Sequence, residues 1–165
     1  MNVMINDKSV ELQKKDRKIG SEAPAVKLKM LSGDEKVIGM MADKVQVIFT
    51  LPYSHSLNED IIKLIHKHRD KTNIYLISSD EFFYKVNKDY SSKDFKNFSI
   101  KFGVYINDDI CAKSVFIIDK EGEIVYKDIL PEVKNNFDIN KLNSEIQKAV
   151  DFKRKGHIHE NWMAV

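Results

Sequence analysis

Two short apolar runs, separated by a stretch with helical periodicity, constrain this chain most. Residues 45–49 (VQVIF) and 73–77 (NIYLI) have the length and β-branched composition of buried strands. Between them, side chains recur at the spacing of one helix face: Leu57, Ile61, Leu64, Ile65 and His68. A strand, a helix and a strand in this order join two parallel neighbours by a right-handed crossover. The chain is therefore predicted to build an α/β fold around a parallel pair.

The flanking segments extend this core into a mixed sheet. Short strands are predicted at 3–5 and 10–12, and a hairpin at 115–126 with a turn at 119–122. A final helix is predicted from Asp138, its cap, to Phe152, with a buried stripe of Ile139, Leu142, Ile146 and Val150. The predicted fold class is α/β and thioredoxin-like: a central mixed sheet flanked by helices, preceded by an N-terminal β-hairpin. For residues 80–107 a packed helix and a loop are expected.

Composition narrows the class of protein. The 165 residues suffice for one domain, which we place at 1–152, with a C-terminal extension at 153–165. Because 27 basic residues nearly balance 25 acidic ones, no nucleic-acid partner is expected. The N-terminus lacks the pattern of a signal peptide, and no apolar stretch approaches the roughly 20 residues that span a membrane. A cytoplasmic protein without a membrane partner is the expectation.

Several motifs, in one order along the chain, resemble a known family. They are Gly20-x-x-Ala23-Pro24, Phe102-Gly103-Val104, the segment AKSVFIIDKEG at 112–122, Tyr126 and Pro131-Glu132-Val133. Together with the N-terminal hairpin, they resemble the bacterial thiol peroxidases, the atypical two-cysteine branch of the peroxiredoxins. The resemblance implies a peroxiredoxin fold, a homodimer, peroxide reduction by a cysteine thiolate, and no cofactor.

The catalytic pattern of that family is altered in this chain. Its Pro-x-x-x-Thr/Ser-x-x-Cys motif falls on residues 52–59, where Pro52 and Ser56 match and Glu59 stands in place of the cysteine. The family's arginine falls on Lys113, and no resolving cysteine is present near Asp89. A carboxylate is a poor nucleophile toward an O–O bond, so no functional catalytic residue is expected at these positions.

Glu59 also has a structural interpretation. Ser56-Leu57-Asn58-Glu59 has the S-x-x-E pattern of a capping box, in which Ser56 would cap the helix and Glu59 would bond back to it. Lys113 is expected either to pair with Glu59 or to point to solvent. The alternative is that Glu59 acts as a permanent anion that mimics the thiolate or its oxidised form.

Cysteine and histidine supply the other candidate groups. Cys111 is the one cysteine of the chain, so no intramolecular disulfide can form. We interpret it as a buried small hydrophobe, with a possible nucleophile as the alternative. His55 is expected to be exposed in the loop before the helix. In the extension, His157 and His159 are weak candidates for a metal site.

Three functions remain open from the sequence. The leading hypothesis is a thiol-peroxidase-like protein without the peroxidatic and resolving cysteines, which acts as a binding or regulatory module. The alternative is a thiol-dependent oxidoreductase or antioxidant that uses Cys111. The further alternative is metal binding through His157 and His159. Whether the chain is an enzyme stays open at this point.

Overall fold

A mixed five-stranded sheet forms the centre of the fold in the computed structural model, which describes residues 1–5, 7–12, 17–82 and 85–152. The strands and helices follow one another as β1 Asn2–Ile5, β2 Lys8–Glu11, β3 Val26–Lys29, β4 Glu35–Ile38, β5 Val45–Leu51, α1 Glu59–His68, β6 Thr72–Ser78, β7 Ser91–Ser92, α2 Phe95–Phe102, β8 Ser114–Ile118, β9 Ile124–Ile129 and α3 Ile139–Asp151.

The sheet has the strand order β7-β6-β5-β8-β9. β5 pairs in parallel with β6, with Val45 opposite Thr72, and α1 makes the connection between them. On its other side β5 pairs antiparallel with β8, with Thr50 opposite Ser114, and β9 continues the hairpin. The predicted crossover unit and the predicted mixed sheet are therefore confirmed. β5 is buried along its whole length, as a central strand covered on both faces should be.

Each face of the sheet carries its own core layer. On one face α1 and α3 pack against each other, and Ile61, Leu64, Leu142 and Ile146 are each at most 2% exposed. The predicted N-cap of α3 is confirmed, because the Asp138 side chain accepts a hydrogen bond from the backbone of Lys141.

The opposite face is covered by α2 and by the N-terminal hairpins. Phe98 and Phe102 of α2 stack with centroids 4.2 Å apart, and Phe102 meets Phe116 of β8 edge-on at 5.1 Å. The helix expected between residues 80 and 107 is α2, which ends at Gly103 with a left-handed C-cap (φ 78°).

Two parts of the N-terminal region have different outcomes. The hairpin of β1 and β2 was predicted and is present, with Val3 opposite Val10. The second hairpin, which pairs β3 with β4, was not among the predicted strands. No described helix is long and apolar enough to cross a membrane.

Candidate functional site

The loop between β5 and α1 is fixed by hydroxyl groups from the neighbouring strand. Ser78 Oγ donates to the carbonyl of Leu51, and Ser79 Oγ donates to the carbonyl of Pro52, each at 2.7 Å. The chain then makes a short 3₁₀ turn, Ser54–Ser56, before α1 begins. Because β5 and β6 are parallel, the carboxyl ends of both strands hold this loop at one edge of the sheet.

Asn58 caps α1, and the predicted capping box is wrong. The Asn58 side-chain oxygen accepts from the backbone N–H of Ile61 at 3.0 Å, three residues into the helix. Ser56 lies two residues too early to do this, and its hydroxyl is buried without a hydrogen-bond partner. The 3₁₀ turn accounts for the shift: the backbone N–H of Ser56 bonds to the carbonyl of Tyr53, and Ser56 belongs to that turn.

Glu59 is the first residue of α1, and its side chain is exposed. A carboxylate at this position faces the positive end of the helix dipole, which stabilises it by about 0.3–1 kcal/mol. Asp60 follows it in the same turn. Glu59 therefore occupies the helix start that the family motif implies, but as a solvated charge with no role in a capping box.

Lys113 makes neither of its predicted contacts. The pairing with Glu59 is wrong, and so is exposure to solvent, because Lys113 is 3% exposed. Its Nζ donates to the carbonyl of Asn135 at 2.6 Å and to that of Val133 at 3.4 Å. It also lies 5.6 Å from the centroid of the Phe137 ring. A buried ammonium needs acceptors close by, and the turn after β9 supplies two carbonyl oxygens.

Burial lowers the pKa of Lys113, because desolvation disfavours the charged ammonium. Its position follows from the sheet: Lys113 precedes Ser114, the partner of Thr50, and so lies beside the carboxyl end of β5. The Thr50 hydroxyl donates to the carbonyl of Ala112 at 2.7 Å and also contacts the Ser114 hydroxyl. These contacts hold the backbone on either side of Lys113.

Cys111 is a fully buried thiol. It is 0% exposed and belongs to the core layer under α2, so the interpretation as a buried small hydrophobe is confirmed. Burial raises the pKa of the Cys111 thiol to about 12, and the nearby hydroxyls of Ser79 and Ser99 oppose this rise only in part. Ser99 nonetheless makes no hydrogen bond of ordinary geometry.

An open cleft lies over the loop before α1. Tyr53 and His55 stack in parallel with ring centroids 5.3 Å apart, and Glu132 and Lys134 form an ion pair of 3.3 Å. Together with Val133 they line a concavity of about 530 Å³. His55 is exposed, as predicted. The cleft is open, and no thiol lines it.

The remaining histidines do not form a metal centre within the described ranges, where no group of three or more potential ligands converges. His68 is buried against the core edge and contacts Asn143 Oδ1 through Nε2 at 2.8 Å, whereas His66 is exposed on another face of α1. The candidate ligands His157 and His159 lie outside the described residues.

Sequence reasoning missed two contributors to this region. Asn58 is a good cap residue, but the S-x-x-E match directed attention to Ser56. Asn135 contributes through its carbonyl oxygen, which every residue carries, so no side-chain pattern could have revealed it. The structure thus places the Pro52 loop and the backbone at Lys113 at the same edge of the sheet, whereas Glu59 is exposed at the start of α1.

The chain has relatives of known name. It is 24% identical over 168 residues to a thiol peroxidase of Aquifex aeolicus, an alignment that covers 90% of this chain and 98% of the relative. It is 29% identical over 147 residues to a thiol peroxidase of Bacillus subtilis, with 77% and 85% covered. No family model matches the chain.

Solved structures agree on the fold. The crystal structure of a peroxiredoxin-like protein from Aquifex aeolicus matches with a TM-score of 0.78 at 24% identity and covers 90% of this chain and 96% of that one. A thiol peroxidase from Chromobacterium violaceum matches with a TM-score of 0.70 at 13% identity, with 89% and 95% covered.

Proposed function

We propose that this chain, a member of the bacterial thiol peroxidase family of peroxiredoxins, has no peroxidase activity and acts as a binding or regulatory module. Peroxide reduction needs a thiolate that attacks one peroxide oxygen while the other leaves. The proposal rests on the state of the chain's one thiol, that of Cys111.

Cys111 is poorly suited to that reaction. The thiolate is the reactive form of a cysteine, and with a pKa of about 12 only about one thiol in 10⁵ is ionised at neutral pH. At 0% exposure, peroxide has no open path to the sulfur. Cys111 lies just before β8 and not in the first turn of a described helix, the position at which a helix dipole could lower its pKa.

The family-equivalent positions support the same conclusion. Pro52 and Ser56 persist, but Glu59 carries a carboxylate that has no cycle of oxidation and reduction. Lys113, at the arginine position, spends its hydrogen bonds on the carbonyls of Val133 and Asn135. An arginine would present a planar fork of donors, which a lysine cannot reproduce.

A role in binding is supported by what the scaffold retains. The sheet, its helices and the loop after β5 remain well packed, and the cleft beside Tyr53 and His55 stays open. Following the family resemblance, we place this activity on a homodimer in the cytoplasm. An intact scaffold that lacks the cysteine of the family motif fits a surface that recognises another molecule.

A thiol-coupled hydrogen peroxide assay tests the proposal. The wild-type protein should consume peroxide no faster than the Cys111→Ser variant, which keeps a hydrogen-bonding group beside Ser79 and Ser99. Turnover in the wild type that Cys111→Ser abolishes would overturn the proposal in favour of an oxidoreductase. The Glu59→Cys variant, in the Cys111→Ser background, shows in the same assay whether the rest of the peroxide pocket survives.

A further inference from the structure

A second concavity lies away from the loop before α1. It is a groove of about 370 Å³ between α1, β6 and the segment at 85–91. Its size falls in the range of small-molecule sites. It shares no lining residue with the cleft beside Tyr53 and His55. We call it the α1 groove.

One wall of the α1 groove is a second stripe of α1. Ile62, Ile65, His66 and Arg69 follow one another at the spacing i, i+3, i+4 and i+7 and share a helix face. The stripe that faces the core is a different one, through Ile61 and Leu64. Ile62 and Ile65 are only partly buried, so their aliphatic surface is available to the groove.

The groove is polarised along its length. α1 runs back along the sheet, so its last turn, with His66 and Arg69, lies near the amino ends of the strands, where Lys44 precedes β5. Ile62, in the first half of α1, lies toward the carboxyl ends, where Leu76 of β6 also lines the groove. The groove therefore has a cationic end and an aliphatic end.

In the described ranges, the cations at the groove have no ion-pair partner. Lys44, Arg69 and Lys85 line it, against one carboxylate, Asp70. Within the described part of the chain, none of the three cations forms an ion pair with a carboxylate. Arg69 NH1 instead lies 3.3 Å from His66 Nδ1. Lys44 and Arg69 at one end of a groove whose α1 wall is aliphatic fit an anionic head attached to an apolar tail.

We infer that the α1 groove binds a small amphipathic carboxylate, a linear fatty acid of medium length. The carboxylate lies between Lys44 and Arg69, where the guanidinium can donate two parallel hydrogen bonds to it. The alkyl chain lies along Ile65 and Ile62. The apolar groups of the α1 wall are aliphatic, which suits a linear chain, although Tyr90 also lines the groove. The inference rests on the proposed binding function and assigns it a site and a ligand class.

Isothermal calorimetry on the full chain with octanoate, decanoate and dodecanoate, below their micelle concentrations, tests the aliphatic end. Each buried methylene contributes about 0.8 kcal/mol, so affinity should rise about tenfold for every two methylenes until the groove is filled. Absence of binding by all three acids, or affinities that do not depend on chain length, would overturn the inference.

Charge variants test the cationic end. Arg69→Gln should weaken decanoate binding about tenfold and leave the binding of decanol, the neutral analogue, unchanged. Lys67→Gln is the matched control, because Lys67 is an exposed cation on the same helix that does not line the groove. If Arg69→Gln and Lys67→Gln weakened decanoate binding equally, the effect would come from the overall charge of the protein, which would contradict the proposed site.

Running the peroxide assay on the same preparations separates this inference from the proposed function. If the protein neither consumes peroxide nor binds decanoate, the α1 groove is not the ligand site, but the proposed absence of peroxidase activity is still supported. Turnover that depends on Cys111 overturns the proposed function, whatever the calorimetry shows. Decanoate binding that Arg69→Gln weakens supports the site on its own evidence.

Discussion

A thiol peroxidase needs a cysteine thiol at an accessible helix start. In this chain the accessible helix start is that of α1, and the thiol is that of Cys111, at a different place. The start of α1 is accessible and has the positive end of a helix dipole, but it carries a carboxylate. Cys111 carries the sulfur, but it is enclosed in the core with its pKa raised to about 12. The comparison shows how strongly the environment governs a thiol, because burial raises the pKa of Cys111 whereas the start of α1 would lower that of a cysteine.

The sharpest test of this contrast moves the sulfur. In Glu59→Cys with Cys111→Ser, the new thiol is exposed in the first turn of α1, where the dipole lowers its pKa. It should react with Ellman's reagent at neutral pH at least about 10⁴-fold faster than Cys111 in the folded wild type, whose thiolate fraction is about 10⁻⁵. The unfolded wild type, in which both barriers are gone, is the control. Comparable rates for the two folded proteins would contradict the contrast.

Substitutions at Cys111 should lower the free energy of unfolding more than substitutions at Glu59, because Cys111 is buried and Glu59 is exposed. Cys111→Val adds volume in a site with no exposed surface and should lower the free energy of unfolding by about 1–3 kcal/mol. Glu59→Gln, at the exposed helix start, should cost at most about 1 kcal/mol by weakening the dipole interaction. Denaturant unfolding of both variants measures these free-energy changes. A Cys111→Val variant as stable as the wild type would mean that the site has free space.

The cap of α1 can be located by two alanine variants. Asn58→Ala should destabilise the protein by about 1 kcal/mol, because the backbone N–H of Ile61 loses its acceptor. Ser56→Ala should be neutral or stabilising, because it removes a buried hydroxyl without a partner. Thermal unfolding distinguishes them, and the reverse order would restore Ser56 as the cap.

The smallest expected effect is the contribution of Lys113 to the pH dependence of the free energy of unfolding. Its folded pKa lies below the unfolded value of 10.5, so the unfolded state binds more protons between the two values. The wild type should therefore gain stability relative to Lys113→Met as pH rises through the lowered pKa toward 10.5. Denaturant unfolding of both proteins near pH 7 and at about pH 10 measures this difference. A difference that shrinks with rising pH would contradict the burial argument.

Most of the fold could be predicted because its strongest elements are long and periodic. β5 and β6 are each built around a run of apolar residues, and α3 has both a cap and a stripe. β3 was missed as a strand although its residues, VKLK, alternate apolar and charged as a half-buried strand does, so this element could have been predicted. β7 has two serines and no apolar pattern, so only its pairing with β6 defines it.

The candidate site was less predictable, for a physical reason. The position of Glu59 at the start of α1 follows from the local sequence, and the burial of Cys111 follows from its apolar neighbours. The partners of Lys113 are carbonyls about twenty residues further on, brought close by the hairpin of β8 and β9. Local patterns carry no information about such contacts, and a match to a motif cannot say which of two neighbouring residues caps a helix.

One measurement tests the central claim directly: the number of free thiols per chain after the folded protein has been exposed to hydrogen peroxide, quenched and then unfolded for titration. The one thiol of Cys111 should be fully recovered, because it was neither ionised nor accessible during the exposure. The wild type unfolded before exposure should lose that thiol and serves as the control. If the folded protein lost the Cys111 thiol and a reductant restored it, the claim that this buried thiol does not react with peroxide would be wrong.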